Sequence, residues 1–330
     1  MIMSYPTNEP NGPLDIKIHA SMYFMSICPL AHTIFVPPIG GRMEIFMDHM
    51  ITAASDYILG KMANHNCGTI HSVYRKTINI SFPDGFAALQ AKGSPLSPIS
   101  LITSLSGEEM AALPVKAGDP VSLSLGRLYI NGCCVFTLKQ VVSYDLKLTK
   151  VLSQKQLQIL QDHICDVLSM RDAGSFELLF TNPEKALQIP FLAVAEKRLQ
   201  SASESIVSAK WEEGAAELCR FVGLGLGLTP GGDDFLCGVL AGFLLCGQDN
   251  HPLACALRCE LRKHLEDTNS ISSAFLGCAM EGQFSQAVNS LCEQPSPSDI
   301  FQTFSAIGHS SGTDTLCGIT YLLKSRTFLS

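Results

Sequence analysis

No basic block, no CxxC pair and no long unbroken apolar run occur in this sequence, and each absence closes off a class of function. Lysine and arginine total 23 against 30 acidic residues, giving a net charge of -7. A chain without a basic face offers little to a phosphate backbone or an anionic bilayer, so neither nucleic acid nor membrane is an expected partner. Charged residues make up 16% of the chain and hydrophobic residues 46%. That balance suits a well-buried globular protein, with part of its surface covered by other protein subunits. Any anionic ligand must then rely on backbone N–H groups or on a few chosen cations.

Metal and nucleotide signatures are missing as well. There is no HExxH, no EF-hand spacing and no paired cysteine motif, so neither a metal nor a cofactor is expected. The 13 cysteines are scattered, mostly inside apolar stretches. An odd number in a chain long enough to build its own core reads as reduced core thiols, and hence as a cytoplasmic protein. The apolar segment from Ser21 to Pro38 is interrupted by Pro29, His32 and Pro37. The run from Phe235 to Gly247 is too short to span a bilayer, and Asp233 and Asp234 block its extension.

A length of 330 residues favours two domains. The first 20 residues are polar and rich in Pro, Asn and Gly, and are expected to form a disordered tail. Residues 21–148 read as β-rich. Thr69 to Ile80 alternates apolar and polar side chains, with Arg75 and Lys76 mid-strand, and Asn131-Gly132 between two β-prone runs suits a type I′ hairpin turn. One helix is expected near Met47 to Met62. From residue 149 to 330 the spacing is helical, with Ser153 capping a helix that runs to Met170. Further helices fit Pro190–Leu199, Ile206–Phe221, Gly232–Cys246, Leu253–Asp267, Ser270–Gly282, Phe284–Glu293 and Gly312–Lys324. The fold class is α+β, a β-rich N-terminal domain followed by a larger, all-helical one.

The segment with the most chemistry is GLGLGLTPGGDD, Gly223 to Asp234, which feeds an apolar helix. Thr229-Pro230 fits an N-cap followed by proline in the first turn. Glycines let an anion approach the unpaired N–H groups of a helix start. The helix dipole alone also favours Asp233 and Asp234 there. A Walker loop would need Gly-Lys-Ser/Thr where Gly232-Asp233 stands, and a dinucleotide fingerprint would need a preceding strand. A weaker copy of the segment lies at Gly308 to Gly318, aligning Gly232 with Gly312, Asp234 with Asp314 and Gly238 with Gly318. Two kindred helix openings suggest one shared anion site. Asp233, Asp234 and His309 are the candidate catalytic groups. Thr229, Gly231, Gly232, Ser310, Ser311, Gly312 and Asp314 are the candidate substrate contacts, with the Gly231-Gly232 and Ser311-Gly312 amides as anion donors. Ser270, in the hydroxyl-rich Thr268–Leu276 segment, and Arg75 join them, and Arg220 is a further cation near the loop. Gly308–Gly312 also fits GxSxG with Ser310 central, but no strand precedes it. The Asp233-Asp234 pair could hold Mg²⁺ beside a phosphate, a less favoured reading.

These segments resemble the AllH family. The likeness rests on GLGLGLTPGGDDFLCGVLAG, TNSISSAFLGCAMEG and GHSSGTDTLCGI, with GTIHSVYRKTINI and GSPLSPISL as N-terminal strand segments, and spans roughly residues 60–325. A common form of the family motif has Ser where Gly231 stands. The resemblance implies a subunit of bacterial oxamate carbamoyltransferase that works beside two other proteins in purine-derived allantoin breakdown. The implied reaction joins oxamate and carbamoyl phosphate to oxalurate and phosphate, reversibly. The Ser-Thr-Arg-Thr phosphate loop of aspartate and ornithine carbamoyltransferases is absent. Two other readings stay open: a non-catalytic assembly or regulatory subunit, and an amide- or phosphate-handling enzyme of other specificity.

Overall fold

The computed structural model describes residues 33–36, 44–83, 85–132, 134–171, 173–225 and 227–325. The expected N-terminal tail lies outside them. Ten strands are present: β1 Thr33–Val36, β2 Glu44–Ser55, β3 Cys67–Val73, β4 Thr77–Phe82, β5 Gly85–Gln90, β6 Ser100–Thr103, β7 Pro120–Ser124, β8 Arg127–Ile130, β9 Cys134–Thr137 and β10 Val142–Tyr144. The order β2-β6-β5-β4-β3-β7-β8-β9 closes on itself through a parallel β2–β9 pairing, Met47 to Met50 against Cys134 to Thr137. Closure removes the sheet edges. The interior is filled by Ile51, Ile70, Ile78, Ile80, Leu89, Leu101, Leu128, Ile130 and Phe136, all buried. Two short helices, α1 Asp56–Met62 and α2 Gly107–Ala111, sit between strands.

The helical region follows, with α3 Gln154–Met170, α4 Leu178–Thr181, α5 Pro183–Ala186, α6 Pro190–Val207, α7 Trp211–Cys219, α8 Gly231–Leu245, α9 Pro252–His264, α10 Ser270–Met280, α11 Gln286–Ser290, α12 Pro297–Ser305 and α13 Ser311–Ser325. The α+β reading is therefore correct: a β-barrel, then helices. Ser153 caps α3 as expected, and Gln156 completes a capping box. Asn131 and Gly132 adopt φ of 50° and 68°, as the hairpin requires.

Three expectations need correction. The stretch read as a helix near Met47 is the second half of β2 up to Ser55, and only Asp56–Met62 is helical. Pairing with barrel neighbours on both sides overrides the weak local preference. The single strand read over Thr69–Ile80 is two, β3 and β4. They are joined by a tight turn in which the Tyr74 N–H donates to the Thr77 carbonyl at 2.7 Å. The Arg75-Lys76 pair is that turn and not mid-strand. Finally, α6 runs on to Val207 and α7 begins only at Trp211, because Ala209 takes a left-handed φ of 54° between them.

Helices α8 and α13 form the centre. Both are almost wholly buried, as helices apolar on nearly every face must be. They run parallel: Gly231 meets Asp314 near the N-termini, and Gly238 and Gly318 meet mid-helix. Gly242 meets Leu322 near the C-termini. A Cβ at Gly238 would overlap the Thr315 carbonyl, and a Cβ at Gly318 would overlap the Phe235 carbonyl. Because Phe235 aligns with Thr315 and Gly238 with Gly318, the two contacts are one contact seen twice. The sequence echo is thus a pseudo-twofold pair with both N-termini at one end. Phe176, Phe221 and Phe235 stack beside it, with ring centroids 5.0–5.7 Å apart.

The barrel docks through the outside of β5. Phe86, Ala88 and Ile99 pack with Cys278, Ile271 and Phe275 of α10. This seam sets one wall of a cleft between barrel and helices.

Candidate functional site

The cleft has a volume of about 770 Å³. The helical side supplies Ser175, Thr229, His309, Ser310 and Ser311, and the barrel side supplies Tyr74, Thr77, Asn79, Gln90 and Ser97. No Lys, Arg, Asp or Glu lines it among the described residues. The two glycine loops do meet there. The Thr229 and Ser311 hydroxyls hydrogen-bond at 2.7 Å across the paired helix starts. Thr229 is therefore not the N-cap of α8. Pro230 holds that position, and Thr229 ties one loop to the other.

The helix amides contribute less than the sequence suggested. The Gly232 N–H donates to the Leu224 carbonyl at 2.8 Å, and the Gly312 N–H donates to the Ile307 carbonyl at 3.2 Å. A Cβ at Gly232 would overlap the Phe221 carbonyl, and one at Gly312 the Phe304 carbonyl. Both glycines serve close backbone approach, and their amides are already engaged.

The carboxylates divide by role. Asp233 is buried, accepting from the Gly223 N–H at 2.9 Å and the Thr268 hydroxyl at 2.6 Å. It pins the glycine loop, whose Gly223 needs a φ of 71° and has no room for a Cβ against the Asp267 carbonyl. Burial raises its carboxyl above the ordinary range, against the pull of those hydrogen bonds. Asp314 is fully buried and accepts from the Phe176 N–H at 3.1 Å, while its Oδ2 has no hydrogen-bond partner. Asp234 Oδ2 is likewise buried and unpartnered. Burial pushes the Asp314 carboxyl to about 6. Burial, and next the charge on Asp314, push Asp234 well above the usual carboxylate range. Beneath the cleft floor Asp234 is thus the carboxyl disposed to hold a proton at neutral pH, while Asp314 loses its own nearer pH 6. Burial also pushes up the Cys237 and Cys317 thiols on the same helices, which leaves them poor nucleophiles.

His309 is exposed and lines the cleft. Three predicted cations and hydroxyls stand elsewhere. Arg75 pairs with Glu108 at 2.8 Å, exposed on the barrel surface. Arg220 pairs with Glu217 at 3.5 Å. Ser270 is exposed at the first position of α10, where Asn269 is the cap.

Sequence reasoning missed the segment after α3. Arg171 donates to the Thr313 hydroxyl at 2.8 Å, the Ser305 hydroxyl at 2.6 Å and the His309 carbonyl at 3.3 Å. Glu177 is fully buried and accepts from the Gly174 and Ser175 N–H groups at 2.7 and 3.0 Å. These bonds shape the turn that brings Ser175 to the cleft and Phe176 to Asp314. No sequence motif marks that segment.

Residues 221–323 match the family model described as oxamate carbamoyltransferase subunit AllH, and residues 49–143 match that of the AllH family N-terminal domain. Together they cover more than half of the chain. The chain belongs to the AllH family. No curated protein and no solved structure matches it. The two matched ranges contain most of the cleft lining, whereas Ala173, Gly174, Ser175 and Phe191, which also line it, fall between them, as does Arg171. Among the described residues no helix is long and apolar enough to cross a membrane, and no group of three metal-ligating side chains occurs. Among the described residues all the cysteines are free, and Cys134, Cys219, Cys278, Cys292 and Cys317 are buried.

Proposed function

We propose that this chain supplies the substrate cleft of a carbamoyltransferase that joins oxamate and carbamoyl phosphate to oxalurate and phosphate. On this reading it works with other subunits in the cytoplasm, in the breakdown of purine-derived ureides. The observation that carries the proposal is the convergence of two pseudo-equivalent helix starts, with His309, on one cleft in a member of the AllH family.

The chemistry is a transfer between nitrogen and oxygen. The amide nitrogen of oxamate attacks the carbamoyl carbon, the carbon–oxygen bond to phosphate breaks, and phosphate leaves with the electron pair. The nitrogen gives up one proton and the phosphate takes one. An amide nitrogen is a weak nucleophile, so that proton must move as the bond forms. His309 is the imidazole placed for it. Hydroxyls of Thr229, Ser310 and Ser311 suit a carboxylate and a developing oxyanion, and Asn79 and Gln90 suit a planar amide. Asp234 and Asp314, held partly protonated under the floor, place no full negative charge pair beneath an anionic substrate.

The test is co-expression with the partner subunits and assay of phosphate release from carbamoyl phosphate and oxamate. Release that depends on this chain and falls in His309→Gln supports the proposal. Undiminished release without the chain sinks it. The engaged amides of Gly232 and Gly312 favour a second reading, in which the glycine pairs only pack helices and the chain is an assembly subunit. Calorimetry of the isolated chain with oxamate and oxalurate separates the two, since an assembly subunit gives no heat.

A further inference from the structure

Among the described residues no Lys or Arg lines the cleft, yet a phosphoryl dianion must be held somewhere if the proposed reaction is right. A side pocket of about 360 Å³ adjoins it, sharing Ala173, Gly308 and His309 with the cleft lining. Arg171 forms one wall of that pocket, with Phe301 and Ser305 beside it. The guanidinium is fixed from three sides, by Thr313, Ser305 and the His309 carbonyl. It also lies over the Phe301 ring, 5.4 Å from the centroid. Among the described residues no carboxylate pairs with it.

A guanidinium has five N–H donors. Three hydrogen bonds use one on Nε, one on Nη1 and one on Nη2, which leaves one N–H on each terminal nitrogen. One N–H on each terminal nitrogen is the donor set with which a guanidinium grips a phosphate or carboxylate through two parallel hydrogen bonds. The partners that fix the group among the described residues are neutral, so none of them offsets the charge that an anion would meet. A cation held this rigidly loses little side-chain entropy on binding.

We propose that this side pocket is a phosphoryl-binding subsite, with Arg171 as its clamp. His309 stands on the wall between subsite and cleft, between a phosphoryl group on Arg171 and an acyl acceptor in the cleft. The assignment rests on the carbamoyl-transfer reading for its role, but the binding site itself does not need that reaction.

The experiment uses the full-length, unmutated chain. Phenylglyoxal modifies accessible arginines, and peptide mass mapping reports each position. Millimolar inorganic phosphate, and separately phosphonoacetamide as a stable carbamoyl phosphate analogue, should each slow modification of Arg171 several-fold. Arg75 and Arg220 should react at unchanged rates. Protection by both probes marks a donor subsite, and protection by phosphate alone marks a phosphate subsite; either supports the proposal. Unchanged reactivity of Arg171 with both overturns it. Arg171→Gln should weaken phosphate binding about tenfold or more, with Arg171→Lys between it and wild type, because Lys keeps the charge but not the fork. Protection without any carbamoyl transfer retains the subsite and removes the reaction. Transfer with an unaltered KM for carbamoyl phosphate in Arg171→Gln removes the subsite and retains the reaction.

Discussion

Gly231 and Asp314 touch across the helix pair. A Cβ on Gly231 would stand 2.7 Å from Asp314 Oδ2 and 3.0 Å from the Phe176 ring. The pseudo-equivalent contact, between Ser311 and Asp234, draws the Asp234 carboxyl down by a hydrogen bond against its burial. Each helix therefore sends its acidic residue to the start of the other. This exchange places one carboxyl at each of two parallel helix starts, and the one that ionises first, Asp314, puts its negative charge where both dipoles present positive ends. The two ends differ in that Gly231 stands where α13 has Ser311, while Asp234 and Asp314 each keep one buried oxygen, Oδ2, without a hydrogen-bond partner.

The close approach of α8 and α13 depends on glycine at the crossing. Gly318→Ala should cost about 3 kcal/mol or more, because the obstacle is the Phe235 carbonyl and not a side chain that can turn away. Gly277, in α10, has nothing within 4 Å of a built Cβ. Gly277→Ala should instead stabilise by about 0.5–1 kcal/mol through helix propensity alone. Urea unfolding of the two variants compares them directly, and equal effects would refute the packing argument.

Asp314 makes stability depend on pH. Its folded pKa is raised by burial from 3.8 to about 6. The native state therefore holds a proton that the unfolded chain has released, and stability drops as pH rises through that window. The contribution is intact below about pH 4 and lost above about pH 6. Asp314→Asn keeps the acceptor for the Phe176 N–H and removes the titration. Relative to wild type, it should gain on the order of 3 kcal/mol between pH 4 and pH 7. Unfolding curves at both pH values check this, and a difference that does not vary with pH would contradict it.

Asp233 and His309 should separate structure from chemistry. Asp233→Ala strands the Gly223 N–H and the Thr268 hydroxyl and should cost about 2 kcal/mol. Amide exchange at Gly223 should quicken, while kcat per folded molecule changes little. His309→Gln removes an exposed ring, so stability should shift by less than about 0.5 kcal/mol. Its kcat in the assembled complex should fall about 100-fold. The reverse pattern would exchange their roles.

Much of the site was legible because its signals are local. Gly232, Asp234, Gly312 and Asp314 announce two helix starts, and their matching spacing announces that the starts are related. The barrel wall was not legible. Asn79 and Gln90 reach the cleft only because β4 and β5 lie beside the seam with α10, which depends on contacts far apart in sequence. Arg171 gave no signal, since a single arginine after a helix gains meaning only from Ser305 and Thr313, which are more than 130 residues away. Arg75 misled for the opposite reason. The β3–β4 turn contains no Gly, Pro or Asn, so an alternating pattern ran straight through it.

A second turn shows the same limit and offers a test on the barrel. Leu125 and Gly126 join β7 to β8 with φ of 51° and 69°, the backbone of a type I′ turn. Leucine is strained there, since its Cβ crowds the following carbonyl in left-handed backbone. The side chain is 93% exposed, so it gains no burial in return. Leu125→Asn supplies a residue that tolerates this conformation and should stabilise the chain by about 1 kcal/mol. The cleft lies elsewhere on the barrel, so carbamoyl transfer should be unaffected. A loss of stability in Leu125→Asn would mean that Leu125 is covered in the assembled protein, and a gain in the isolated chain that vanishes in the complex would locate a partner subunit on this hairpin.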